Sequence, residues 1–214
     1  YGQVSGPNGS TDSYAAVSAG NLHTCAVRTD GHVACWGGDY GSQVSGPNGS
    51  VDSCTDVSTG PFDTCVLQTN GRLDCWGGDD YGHVSGPNGS TDSYTAVSAG
   101  RNHTCALGTD RRVTCWGADD FGQVSGPNGS ANNFTAVSAG YDHTCALRFD
   151  GRLMCWGNDY FGMVTGPNGS TDSHTAVSAG EFHTCALRSD GHLSCWGWDT
   201  AAQVSGPNAS MRFY

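Results

Sequence analysis

Ten cysteines stand in five pairs of one spacing: Cys25 with Cys35, Cys65 with Cys75, Cys105 with Cys115, Cys145 with Cys155, and Cys185 with Cys195. Thiols so arranged can form disulfides or hold a metal. Structural zinc takes cysteines a few residues apart, and no CxxC occurs here. Between each pair lies a turn signal such as Thr29-Asp30-Gly31, flanked by alternating residues, which predicts a hairpin. With Gly31 left-handed in a three-residue loop, Arg28 faces His32, Val27 faces Val33, Ala26 faces Ala34 and Cys25 faces Cys35. Directly opposed residues on antiparallel strands lie about 4.5–5.5 Å apart, within reach of a disulfide. Five disulfides are therefore expected, each adding roughly 3 kcal/mol by closing a short loop. They place the protein outside the reducing cytosol. The eleventh cysteine, Cys54, stands where other units have Tyr14, Tyr94, Phe134 and His174. It reads as a buried thiol filling an aromatic slot, with a bond to another chain as the alternative.

Three other residue sets could carry chemistry. Trp36, Trp76, Trp116, Trp156 and Trp196 are followed three residues later by Asp39, Asp79, Asp119, Asp159 and Asp199, with Tyr40, Tyr81, Phe121, Tyr160 and Phe161 close behind. An acidic acceptor beside an exposed ring can grip a sugar; the structural reading has the aspartate capping its own turn and the ring packed inside. GPNGS recurs at 6–10, 46–50, 86–90, 126–130 and 166–170, with GPNAS at 206–210. Pro, Asn and Gly there suit the second, third and fourth positions of a β-turn. The same letters form an N-x-S sequon, so Asn8, Asn48, Asn88, Asn128, Asn168 and Asn208 are expected glycan acceptors, with Asn102 and Asn133 in two irregular sequons. Finally, His23, His103, His143 and His183 recur, and Asp63 takes that place in the second unit. A residue repeated in nearly every unit reads as a structural hydrogen-bonder, because catalysis needs one asymmetric constellation. No phosphate-cradling glycine loop or metalloprotease motif is present. No catalytic residue, metal site or cofactor is expected.

These residues ride on an ungapped repeat. Val4, Val44, Val84, Val124, Val164 and Val204 keep one step of 40 residues, and the tryptophans keep the same step. A period in this range means one supersecondary unit that buries its apolar surface against its neighbours. The units run 1–40, 41–80, 81–120, 121–160 and 161–200, with a partial unit 201–214, all in one domain. In the third unit, 95–99, 103–107 and 112–116 read as strands, and a short piece around Gln123-Val124 as a fourth. Four short strands per unit is the measure of a β-propeller blade. The expected fold is all-β: a propeller of five four-stranded blades, one disulfide in each. Residues 1–14 duplicate 201–214, whereas a closed five-bladed ring needs one copy of that strand. The surplus copy either covers its own blade or docks on another molecule by strand addition.

The string AVSAG..HTCALR.DG.L.CWG...GQ, which the units follow with variation, resembles the regulator-of-chromosome-condensation type repeat, and the resemblance covers every unit. That resemblance implies a propeller, usually of seven blades, where this chain shows five full units. A compact bacterial form of the repeat occurs in a propeller-type β-lactamase inhibitor protein. Paired cysteines resemble its extracellular variants, including receptor ectodomains and algal flagellar-hair (mastigoneme-like) proteins. The fold carries over; the function of the founding member does not.

Composition narrows the partners. The net charge is -11, lysine is absent, and Glu181 is the only glutamate. Such a chain cannot neutralise phosphates, which argues against nucleic acid and anionic membranes. The acidity reads as solvation, with cation binding as the alternative. No apolar run reaches the ~20 residues that span a bilayer. A start at Tyr1 suggests a mature product or the ordered piece of a longer one. The expected protein is extracellular or at the cell surface: a non-enzymatic structural or interaction propeller, a glycosylated scaffold or filament subunit that binds proteins or itself. Carbohydrate binding through the Trp and Asp series is the competing reading, and a protein-inhibitor propeller the third.

Overall fold

A computed structural model describes Gly2, residues 10–49 and residues 53–208. Five copies of a three-stranded antiparallel sheet follow one another. The first holds β1 (Tyr14–Ala19), β2 (His23–Arg28) and β3 (Val33–Gly37), then a helical turn, α1 (Ser45–Asn48). The second holds β4 (Cys54–Thr59), β5 (Asp63–Gln68), β6 (Leu73–Gly77) and α2 (Ser85–Asn88). The third holds β7 (Tyr94–Ala99), β8 (His103–Gly108), β9 (Val113–Gly117) and α3 (Ser125–Asn128). In the fourth are β10 (Phe134–Ala139), β11 (His143–Arg148), β12 (Leu153–Gly157) and α4 (Thr165–Gly169). The fifth has β13 (His174–Ala179), β14 (His183–Arg188), β15 (Leu193–Gly197) and α5 (Ser205–Asn208).

The hairpin register is the expected one: Cys25 pairs Cys35, Ala26 pairs Ala34 and Val27 pairs Val33. Gly31 takes φ 88°, a left-handed conformation that a side chain would strain. Opposed cysteines, 4.1 Å apart at Cα, form a disulfide in every sheet.

The expected fourth strand is a single helical turn. Pro47 has no N–H to give a sheet, and Gly49 N–H bonds both the Gly46 and Ser45 carbonyls, so the β-turn tightens into one turn of helix. The free edge of β3 is covered by one side chain instead. Asn48 accepts the Cys35 N–H (2.6 Å) and donates Nδ2–H to the Cys35 carbonyl (2.9 Å). These are the two hydrogen bonds a fourth strand would make, and Asn88, Asn128, Asn168 and Asn208 repeat them. The sequon asparagines thus line the outer edge of the blades.

Blades pack face to face. Cys105, Leu107, Val113 and Cys115 of the third meet Phe134 and Ala146 of the fourth, with Trp156 against them. Each of the first four helical turns seats its glycine on the next blade's tryptophan: a Cβ on Gly126 would lie 2.4 Å from Trp156 Cδ1. Ser98 Oγ accepts the Ala139 N–H (2.9 Å), and the same link joins each successive pair of blades. The succession does not close: among the described residues no comparable packing joins β13 or β14 to β1. Val17 is 72% exposed where Val97 is 7%, and Leu193 is 48% exposed where Leu153 is 5%. A groove of about 690 Å³ beside Leu193, Trp196 and Asn208 lies where the next blade would pack. Of the terminal duplication expected to supply a surplus strand, residues 1, 3–9 (with Asn8) and 209–214 lie outside the described residues.

Candidate functional site

Strand geometry decides which loops share an end of the array. His23 pairs Gly37, and the Gly38 N–H bonds the Leu22 carbonyl, so the β1–β2 turn and the segment after β3 leave at the same end. Thr29 N–H bonds the Ser13 carbonyl, which sends the β2–β3 turn to the other. Across the blades, the first end surrounds a recess of about 520 Å³ lined by the turns at Gly20, Gly60, Gly100, Gly140 and Gly180.

Most of the exposed rings gather at that end, with Phe149 at the other. Tyr40, Phe62, Tyr81, Phe121, Tyr160, Phe161 and Trp198 are all more than a third exposed. The fourth and fifth blades carry a contiguous set. Phe182 contacts Tyr141 (5.4 Å between centroids), Phe161 (6.0 Å) and Trp198 (5.7 Å), and Phe161 stacks on Trp198 at 6.0 Å. Tyr160 extends it against Phe161 at 4.9 Å, and the Arg101 guanidinium sits 4.1 Å over Tyr141. Monomeric proteins seldom leave such rings together on the surface without a use.

The Asp series lies at this end, occupied by its own loop. Asp39 Oδ1 accepts the N–H groups of Val44 (2.9 Å) and Ser45 (3.2 Å), and Asp79, Asp119, Asp159 and Asp199 do the same in their units. Hydrogen bonds from the Ser205 N–H, the Ser205 hydroxyl and the Val204 N–H hold Asp199 below the usual carboxylate range. The Ser45 hydroxyl leads the same effect at Asp39. These groups are anions at neutral pH. The Trp series is placed elsewhere. Trp36, Trp116, Trp156 and Trp196 meet Tyr14, Tyr94, Phe134 and His174 edge-on, inside their blades, at 5.7 to 6.0 Å. Trp76 faces buried Cys54 across the same slot and packs in the core beneath it. The structure therefore brings together the aspartates and the loop aromatics, and separates both from the tryptophans. Phe62, Tyr141, Phe182, Trp198 and Arg101 have no place in the sequence-derived site. Their signal is that turn positions such as 61–62, 101–102, 141–142 and 181–182 vary within an otherwise strict repeat.

The histidines link blades. Thr64 Oγ1 donates to the Gln43 carbonyl (2.8 Å), so it accepts from His23 Nε2–H (2.9 Å). His103 with Thr144 and His143 with Thr184 repeat the pair. Burial lowers the affinity of His103 and His143 for a proton, to a pKa of about 4. Asp63 takes the histidine place in the second blade, fully buried, with neither carboxylate oxygen hydrogen-bonded among the described residues. Burial pushes its pKa up to about 8. Among the described residues no three His, Cys, Asp or Glu side chains gather to hold a metal ion, and no helix is long and apolar enough to cross a membrane.

This architecture has known relatives. The CRINKLY WD40 ectodomain of the Arabidopsis thaliana receptor kinase ACR4 is similar at a TM-score of 0.69 and 23% identity, over 88% of this chain and 65% of that one. The Physcomitrella patens receptor kinase CR4 ectodomain is similar at 0.72 and 24%, over 86% and 51%. Prp20p from Saccharomyces cerevisiae, a structure described with its binding to Gsp1p and histones, is similar at 0.68 and 18%, over 85% and 56%. The chain thus spans between half and two-thirds of these structures. Among curated proteins none matches in sequence. The model of the regulator of chromosome condensation (RCC1) repeat matches residues 14–43, 94–123, 134–162 and 175–203, passing over the second unit, where Cys54 and Asp63 break the pattern. With more than half its length so matched, the chain belongs to the RCC1 repeat family.

Proposed function

We propose that the protein is an extracellular, non-enzymatic interaction propeller, a glycosylated cell-surface scaffold or filament subunit whose aromatic end binds a protein partner. The observation that carries this is the contiguous set of Tyr141, Tyr160, Phe161, Phe182 and Trp198, in which Tyr160, Phe161 and Trp198 are exposed and Tyr141 and Phe182 half-buried beneath them. Exposed aromatic anchors around a recess are what a protein interface uses to gain affinity. Five disulfides and the two receptor-kinase ectodomain neighbours support work outside the cell. Glycosylation is supported by the place of Asn48, Asn88, Asn128, Asn168 and Asn208. Each is exposed on the outer edge, and its amide gives one hydrogen to a cysteine carbonyl, leaving the other for a sugar. Rings beside ionised aspartates also favour the second reading, carbohydrate binding.

Labelled protein added to intact cells of its source tests the two. Phe161→Ala with Trp198→Ala should weaken surface binding at least tenfold, while Phe149→Ala at the opposite end leaves it unchanged. Loss of binding after protease treatment of the cells supports a protein partner, and loss after glycosidase treatment supports the sugar reading. Equal loss from both ends would reject the site.

A further inference from the structure

The charge at the two ends is as unequal as the distribution of rings. At the far end, among the described residues, seven arginines face seven aspartates, carried by the β2–β3 hairpins of the blades and the segments before each first strand. Every ion pair among the described residues is there, as in Arg28 with Asp12 and Asp30, Arg148 with Asp150, and Arg188 with Asp172 and Asp190. Apart from buried Asp63, the aromatic end carries nine carboxylates and one guanidinium among the described residues. Five are the capping aspartates; the others are Asp80, Asp120, Asp142 and Glu181, none of them ion-paired. That guanidinium, Arg101, already lies on the Tyr141 ring.

Like charges crowded on one surface repel and cost stability, and the far end shows that this chain can pair its charges locally. An exposed ring face attracts a cation at about 0.5–1 kcal/mol, and a carboxylate beside it adds a charge-assisted hydrogen bond. Arg101 over Tyr141 shows the geometry at one position; the rings of Phe161, Trp198 and Tyr160 offer the same next to unpaired acids. A neutral sugar would use the rings and one or two acceptors, leaving most of the nine charges uncompensated. We propose that the aromatic end binds a cationic segment of a polypeptide, its arginine or lysine side chains seated on these rings and paired with Asp120, Asp142 and Glu181. The proposal rests on reading this end as the binding surface and names the chemistry of what binds there.

Fluorescence anisotropy with a labelled 16-residue peptide of arginine, glycine and serine, against the same peptide with glutamine for arginine, tests it. The full chain should bind the arginine peptide at least tenfold more tightly, with affinity falling as salt rises. Asp120→Asn, Asp142→Asn and Glu181→Gln together should weaken binding at least tenfold; these positions leave the capping aspartates intact. Asp110→Asn, Asp150→Asn and Asp190→Asn remove equal charge from the far end and should change it less than twofold. Unchanged urea midpoints establish that each variant is folded. Equal weakening by the two triple variants would mean attraction to net charge alone and would overturn the proposal, as would equal binding of the two peptides. If the acid substitutions leave binding to cells intact while Phe161→Ala with Trp198→Ala abolishes it, the surface stands and the cationic partner falls. If neither set matters there, both fall.

Discussion

At the scale of single residues, the informative contrast is between His103 and Asp63, which occupy equivalent places in adjacent blades. A buried neutral imidazole with one donor satisfies one threonine and costs little. A buried carboxylate without partners must keep its proton. The two groups therefore act on stability with opposite signs. His103 and His143, with folded values of about 4 against an ordinary 6.5, leave the unfolded chain holding more protons between those limits, so stability falls as pH drops from 6.5 to 4. Asp63, at about 8 against an ordinary 3.8, leaves the folded chain holding more protons, so stability falls as pH rises toward 8. Between pH 6.5 and 8 only the Asp63 effect remains, and urea unfolding should lose about 2 kcal/mol over that interval. Asp63→Asn should flatten that loss and expose the histidine trend below 6.5. Asp63→His should restore the link to Thr104 and raise stability at pH 8. A wild-type curve that is level from 6.5 to 8 would remove the buried acid from the account.

At the scale of the element, each blade is a three-stranded sheet whose outer edge is closed by an asparagine. Asn128→Ala removes both hydrogen bonds to Cys115 and should cost about 1–2 kcal/mol in urea unfolding. An unchanged midpoint would mean that water replaces the amide without loss. How legible this was in the sequence depends on the reach of each determinant. The hairpin register could be read off because a three-residue loop with Gly31 at positive φ fixes every pairing up to Cys25 and Cys35. The helical turn in place of a fourth strand could not. It depends on Asn48 reaching Cys35, a contact that spacing alone does not reveal, whereas Asp39 capping its own turn was one of the two readings its position allowed. The aspartates of the candidate site were legible for their repetition. The ring cluster was not, since Tyr141, Phe161, Phe182 and Trp198 come from separate loops in two blades that meet only once the wedges turn about their axis.

At the scale of the molecule, five wedges stand in succession, and among the described residues nothing packs the first against the last. Glycine substitutions report this directly. Gly126→Ala would press a methyl group into Trp156 of the next blade and should destabilise by about 1–3 kcal/mol. Gly206→Ala, with nothing within 4 Å, should be neutral to within about 0.5 kcal/mol. Equal costs at the two positions would mean that the last blade is covered as the others are. The proposed function requires that these wedges, each stapled across its own hairpin, belong to an oxidising space where the ring-bearing end meets its partner. The most direct measurement is peptide mapping of native protein whose thiols are alkylated before the cells are broken. Five cross-linked pairs, Cys25–Cys35 through Cys185–Cys195, are expected, with no alkylation at those ten positions. Alkylated cysteines at the paired positions would contradict that requirement.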